Sequence, residues 1–190
     1  SPYYSKDPSI SGDGRYIAFE GAGVLAGVGG SYGGQILLRD IESRYTSLIT
    51  YSYYHDYAAN HESHDPEFSD NGRFISYWSY ASDLIANDNN SEGDVFVYDL
   101  DTKQNFRISV SSQGVEGNDK SFAPSISSDG RYVAFCSDAT NIIEGDINGF
   151  RDVFRHDTWT GETILVSLST DGYQANNMSC DRLYFHSVSI

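Results

Sequence analysis

The chain has 190 residues, 39% of them hydrophobic, and its 12 basic and 27 acidic side chains give a formal charge of −15. That length supports one domain with its own core, and the apolar residues come in short runs, too short for the roughly 18 consecutive positions a transmembrane helix needs, so no membrane insertion is expected. The acidic excess repels a phosphate backbone, so nucleic acid is not an expected partner; the same charge suits divalent cations or keeps an extracellular protein soluble. The first residues form neither a basic n-region nor an apolar h-region, so a secretory leader is expected to be absent from this stretch.

The first element is Pro8-Ser-Ile-Ser-Gly-Asp-Gly-Arg-Tyr-Ile-Ala-Phe19. It reads as two strands about Asp13-Gly14, a type I′ hairpin turn because both residue types tolerate positive φ. A long loop, 20–34, precedes a third strand at 35–40 and a fourth at 45–51. Within that loop Gly29-Gly-Ser31-Tyr-Gly33-Gly34 matches G-x-S-x-G. A nucleophile elbow works only between a strand and a helix of an α/β sheet, with an acid and a histidine supplied later. Ser31 lies between two strands, so it is read as a loop residue. The next loop, 52–65, is crowded with aromatics and histidines. Tyr53, Tyr54 and Tyr57 are candidate ligand-binding residues, able to stack on sugar rings or cap a protein partner, or else to bury themselves in a central opening. His55, His61 and His64 have a spacing that zinc accepts, but no helix or strand fixes it, and a solvated polar loop is the favoured reading.

The opening pattern then returns as Pro66-Glu-Phe-Ser-Asp-Asn-Gly-Arg-Phe-Ile-Ser-Tyr77 and as Pro124-Ser-Ile-Ser-Ser-Asp-Gly-Arg-Tyr-Val-Ala-Phe135, so the prolines at 8, 66 and 124 define a period of 58. Third strands recur at 94–99 and 152–157, and fourth strands at 106–111 and 164–169. The loops before the third strands carry Asp88-Asn-Asn90-Ser-Glu-Gly-Asp94 and Asp146-Ile-Asn148-Gly-Phe-Arg-Asp152. Oxygen ligands at alternate positions, closed by a further carboxylate, suit a hard cation. Asp88, Asn90, Asp94, Asp146, Asn148 and Asp152 are therefore candidate ligands for a structural Ca²⁺ in each loop. The same residues also make side-chain turns without metal. The first repeat has no carboxylate in this loop and is not expected to bind. Cys136 falls in a strand pattern, where a buried free thiol is the default; a disulfide with Cys180 is the alternative.

A tandem four-stranded antiparallel unit cannot bury both of its faces alone, and radial stacking into a propeller solves this. The proline-led run resembles the bacterial TolB-type (WD40-like) propeller repeat over about residues 5–170. That resemblance implies a proline-led innermost strand, a post-turn second strand and a third strand of the Val-Phe-Val-Tyr-Asp kind. The expected fold is all-β: three blades at about 5–52, 63–111 and 121–169, and a partial repeat at 173–190 offering one extra strand. Three blades do not close a ring, so a homodimer completing six blades is expected. The long loops emerge on one face, which is where recognition is expected. The function read from this pattern is a non-catalytic, periplasmic or secreted scaffold that binds a protein or polysaccharide, with calcium stiffening loops. A propeller-fold glycan-active enzyme is the alternative, but it needs two or three carboxylates at the channel and the innermost strands supply only Glu67. A purely structural assembly module is the third reading.

Overall fold

A computed structural model describes residues 4–27 and 33–180. Ser31 of the G-x-S-x-G match and the strand-like run at 183–190 lie outside the described residues. The described strands form three antiparallel sheets of four, each ordered as in the chain. Blade 1 comprises β1 (Ser5–Ile10), β2 (Tyr16–Ala22), β3 (Gly34–Asp40) and β4 (Tyr45–Leu48); blade 2 comprises β5 (Ser63–Phe68), β6 (Phe74–Ser79), β7 (Asp94–Asp99) and β8 (Gln104–Arg107). Blade 3 comprises β9 (Ser121–Ile126), β10 (Tyr132–Ser137), β11 (Asp152–Asp157) and β12 (Thr163–Leu165). No α-helix occurs among these residues, and none is long and apolar enough to cross a membrane.

The β1–β2, β5–β6 and β9–β10 turns correct the type I′ expectation. Gly14, Gly72 and Gly130 take positive φ (75°, 72° and 77°), but the preceding Asp13, Asn71 and Asp129 do not. Each glycine N–H instead bonds the carbonyl of a serine three residues earlier: Gly14 to Ser11 (2.8 Å), Gly72 to Ser69 (2.9 Å) and Gly130 to Ser127 (2.8 Å). The Asp or Asn carboxyl or amide oxygen accepts from the next arginine's N–H, at 3.0, 3.0 and 2.9 Å. This is an Asx-type turn closed by one left-handed glycine. At Gly130 a side chain would also collide with the Phe74 ring of the neighbouring blade.

The arginine of the motif has its own task. Arg15, Arg73 and Arg131 pair with Asp40, Asp99 and Asp157, which end the third strands, at 2.9, 2.8 and 2.8 Å. Hydrogen bonds from these guanidinium groups hold Asp40 and Asp157 well below the usual carboxylate range. Each blade thus has its second-strand entry tied to its third-strand exit. The inner strands share a second device, a bulge just before the proline, with Asp7, Asp65 and Ala123 at φ of 51°, 52° and 50°. Asp tolerates this region better than Ala, and any non-glycine residue there carries strain of order 1 kcal/mol.

Blades pack by laying the inner strand of one against the face of the one before. Ala18, Ile36 and Ile49 of blade 1 meet Phe68, Ile75, Tyr77 and Phe96 of blade 2. Trp78, Val95 and Val97 of blade 2 meet Phe122, Val133, Phe135 and Phe154 of blade 3. One position of this contact recurs with the period. Residues 20, 78 and 136 face residues 64, 122 and 180, and both sets are 58 apart. The first pair is Glu20 and His64, with Oε2 and Nδ1 2.9 Å apart. The second is Trp78 and Phe122, ring centroids 6.3 Å apart. The third is a disulfide, Cys136–Cys180, with Cα atoms 6.3 Å apart. The free-thiol reading of Cys136 is therefore corrected. Periodicity explains why: Cys180 occupies the place of Phe122. Ser179 N–H likewise donates to Arg151 O (2.9 Å) as Ser121 N–H donates to Gly93 O (2.6 Å). The tail up to Cys180 follows the repeat into the start of a fourth inner strand and is clamped there.

That clamp is testable. Replacing Cys136 and Cys180 together by Ser opens a cross-link spanning 44 residues, and should lower the unfolding free energy by about 2–4 kcal/mol. Urea titrations of parent and variant, and of the parent with and without reductant, measure it; equal midpoints would show that the tail adds nothing to the stack.

Candidate functional site

The inner strands begin, and the second strands end, on the face from which the long loops emerge. At the junction of blades 1 and 2 this brings together Tyr4, Lys6, Glu20, His64, Asp65 and Trp78. The Glu20 side chain is 1% exposed, and its Oε2 lies 3.0 Å from Lys6 Nζ and 2.9 Å from His64 Nδ1. The Tyr4 hydroxyl donates to Oε1 at 3.2 Å. Burial pushes the Glu20 carboxyl up, but the His64 and Lys6 contacts outweigh it and leave it below its usual 4.5. The His64 ring packs on Trp78 at 4.6 Å, and Trp78 Nε1–H donates to Asp65 Oδ2 at 2.7 Å. Burial raises Asp65 despite that bond. Glu67, further along β5, accepts from Ile126 N–H at 3.2 Å, so it bridges to the next inner strand.

None of this cluster except His64 and Glu67 stood out in the sequence, because Glu20 and His64 belong to different repeats, 44 residues apart. The period was the available signal, since it aligns Glu20 with Trp78. The three loop histidines are separated in function. His55 stacks on Tyr57 (4.7 Å), and the Gln35 amide donates to the His61 carbonyl (2.9 Å). Among the described residues no group of three or more His, Cys, Asp or Glu is placed to hold a metal ion.

The two Asp-Asn-Asp loops face different residues of the fourth strand. In blade 2 the Arg107 guanidinium enters the loop and pairs with Asp88 (3.3 Å), Asp94 (3.0 Å) and Glu116 (2.8 Å). Asn90 donates to Gly117 O at 2.8 Å, and Ser109 Oγ–H to Asp94 Oδ1 at 2.5 Å. Burial and the nearby Asp94 charge push the Asp88 carboxyl up to about 6, with Arg107 opposing. In blade 3 the residue paired opposite Phe154, as Arg107 is opposite Phe96, is Leu165. Asn148 Nδ2–H donates to Asp152 Oδ2 (2.7 Å) and Ser167 Oγ–H to Oδ1 (2.5 Å). Asp146 Oδ1 is buried with no hydrogen-bond partner, and burial followed by the Asp152 charge raises that carboxyl. In blade 2 a cation reaches the loop carboxylates; in blade 3 the loop's own Arg151 is engaged by Asp138 instead, at 2.7 Å. Leu48 stands at the same place in blade 1, whose loop has no Asp-Asn-Asp set.

The tyrosines after blade 1 are exposed, Tyr53 at 63%, Tyr54 at 59% and Tyr57 at 44%. Tyr53 and Tyr54 meet edge to face at 5.2 Å. Tyr53, with Tyr51, stands on the rim of a cleft between blades 1 and 2, whereas Tyr54 and Tyr57 do not line it.

The buried ion pair makes a pH prediction. A carboxyl whose pKa is lower folded than unfolded contributes fully above its ordinary 4.5, and the contribution is lost as pH falls through the folded value. Glu20→Gln should therefore cost about 1–3 kcal/mol near neutral pH. The gap from the parent should close as pH falls through the folded value, which lies below 4.5; urea titrations across pH check this, and a pH-independent gap contradicts it.

No family model matches the chain, and no curated protein does. Solved structures do. TolB from Acinetobacter baumannii aligns over 90% of this chain and 36% of its own at 21% identity and a TM-score of 0.52. A protein classed as TolB from Agrobacterium tumefaciens aligns over 87% and 49% at 18% identity and 0.52. The β-propeller domain of the trilobed protease from Pyrococcus furiosus, described with an open Velcro topology, aligns over 86% and 42% at 15% identity and 0.52. The chain thus spans between about a third and a half of the TolB structures it matches. At these identities the likeness establishes the fold, and the chain is a stack of three TolB-type β-propeller blades.

Proposed function

We propose that this protein is a non-catalytic binding scaffold, periplasmic or secreted, whose long-loop face recognises a protein partner of basic surface. The observation that carries this reading is the cluster at the mouth of the blade 1–blade 2 junction. Asp7, Glu62 and Asp65 surround the closed Glu20–His64 pair, on a chain of charge −15. Acidic side chains on strands held by neighbouring blades give a preorganised surface for lysine and arginine. The strained backbone at Asp7 and Asp65 fits a site held in place by its surroundings. The disulfide supports an oxidising compartment. The mouth carboxylates are engaged: Glu20 by Lys6 and His64, Asp65 by Trp78, Glu67 by Ile126. That favours binding over the paired acid and base a glycan-active enzyme requires.

Selection of a random peptide display library on the immobilised protein tests it. Recovered peptides should be cationic, lose binding as salt rises, and fail on an Asp7→Lys, Glu62→Lys double variant. Recovery of acidic or no peptides, or turnover of glycan or peptide substrates, removes the reading.

Calcium belongs to the same proposal, narrowed to blade 3. Asp146 and Asp152 would hold it with main-chain carbonyls and water, because Arg107 pairs with Asp88 and Asp94 in blade 2, whereas in blade 3 Leu165 stands in its place and Arg151 is engaged by Asp138. Ca²⁺ should raise the melting temperature of the parent, and Leu165→Arg should abolish that response; no response in the parent excludes the metal. The exposed inner strand β1 and the clamped tail support assembly into a six-bladed homodimer. Sedimentation of the same samples should report twice the 21.1 kDa chain mass.

A further inference from the structure

The seams between blades are not equivalent, and the difference makes a cleft. Between blades 2 and 3 the outer strands are stitched by Thr163. Its hydroxyl donates to Val110 O at 2.6 Å, its N–H to Ser112 Oγ at 2.9 Å, and Ser112 Oγ–H to its carbonyl at 3.2 Å. The residue one period earlier is Asn105, which occupies the same place opposite Tyr98 that Thr163 occupies opposite His156. Asn105 is drawn inward instead. The Tyr77 hydroxyl donates to its Oδ1 at 2.7 Å, and only a long 3.4 Å bond from its Nδ2 reaches Ile49 O across the seam. The blade 1–blade 2 seam opens into a cleft of about 980 Å³, near the upper end of ordinary ligand sites.

Its lining has a specific chemistry. Tyr16, Tyr51, Tyr53 and Tyr98 bring four aromatic rings to the walls, with Leu38 and Ile85 among the aliphatic contacts. Ser47, Asn71, Gln104 and Asn105 add hydroxyl and amide groups that both donate and accept. Arg73, Lys103 and Asp101 are the charged lining residues, and Arg73 is tied to Asp99 and Asp101 at 2.8 and 3.1 Å. Flat apolar faces interleaved with bidirectional hydrogen-bonding groups match a pyranose ring, which is apolar on its face and hydroxylated at its edge. Lys103 beside these groups accommodates a neutral or carboxylate-bearing sugar.

We propose that the seam between blades 1 and 2 is an oligosaccharide-binding cleft, with Tyr51 and Tyr53 as the stacking platform and Asn105 as a polar contact on its wall. It is independent of the proposed site for a basic partner, since Asp7, Glu62 and Asp65 do not line the cleft.

A glycan array carrying neutral and uronate-bearing oligosaccharides, followed by calorimetry with the best-bound sugar, tests it. Saturable binding is expected. Tyr53→Ala should weaken it at least about tenfold, because that ring is 63% exposed and its loss leaves the core intact. Tyr45→Ala, an equally exposed ring (66%) outside the cleft, should leave affinity unchanged. Asn105→Thr, which restores the residue of the stitched seam, should also weaken binding. Preference for uronate-bearing over neutral sugars would assign Lys103 a role; either preference supports the cleft. No bound glycan at millimolar concentration, or affinity unchanged from the parent in both the Tyr53→Ala and Tyr51→Ala proteins, overturns it.

Discussion

A four-stranded sheet has two faces, and nothing inside one 58-residue unit covers both. Everything else in the molecule depends on the contact that solves this, the inner strand of one blade pressed on the face of the one before. The fully buried side chains Ile36, Ile75, Tyr77, Phe96, Phe135 and Phe154 all belong to these junctions. Burial of that kind is worth roughly 25 cal/mol per Å² of apolar surface, and it has no directional preference. Direction comes from the repeated polar devices: the Arg–Asp tie within each blade, the serine-closed turn, and the bulge before the proline.

On that common frame the same junction position is filled three ways. Glu20 with His64 is an ion pair sensitive to pH, Trp78 with Phe122 is an aromatic contact largely indifferent to solution conditions, and Cys136 with Cys180 is a covalent link sensitive to redox state. The blades are alike in backbone and unlike in what would loosen them. The loop cations follow the same logic. Leu48, Arg107 and Leu165 occupy one position of the fourth strand, and the carboxylates above it are absent, neutralised or left with an unpartnered oxygen accordingly. The cleft between blades 1 and 2 opens where the repeat is broken, at Asn105 in place of the stitching Thr163.

Periodic features were legible from residues alone. The strands, the blade order and the long-loop face follow from the proline spacing, because alternation and turn residues are local signals. The turn type was misread at Asp13-Gly14. Its geometry is set by the serine at position 11, whose carbonyl and hydroxyl both bond across the turn, and not by the dipeptide alone. Arg107 was overlooked in the loop reading because it lies on a strand, 13 residues after Asp94, and only pairing of β7 with β8 brings the two together.

The amino-acid order by itself therefore determined the architecture: a 58-residue four-stranded unit, used three times. Which residues meet between units was decided only by the tertiary structure. Glu20 with His64, Cys136 with Cys180, and the Tyr-lined seam beside Asn105 each join residues from different repeats. A sequence pattern reports the face on which a side chain lies; the neighbour across that face is set by how the blades stack.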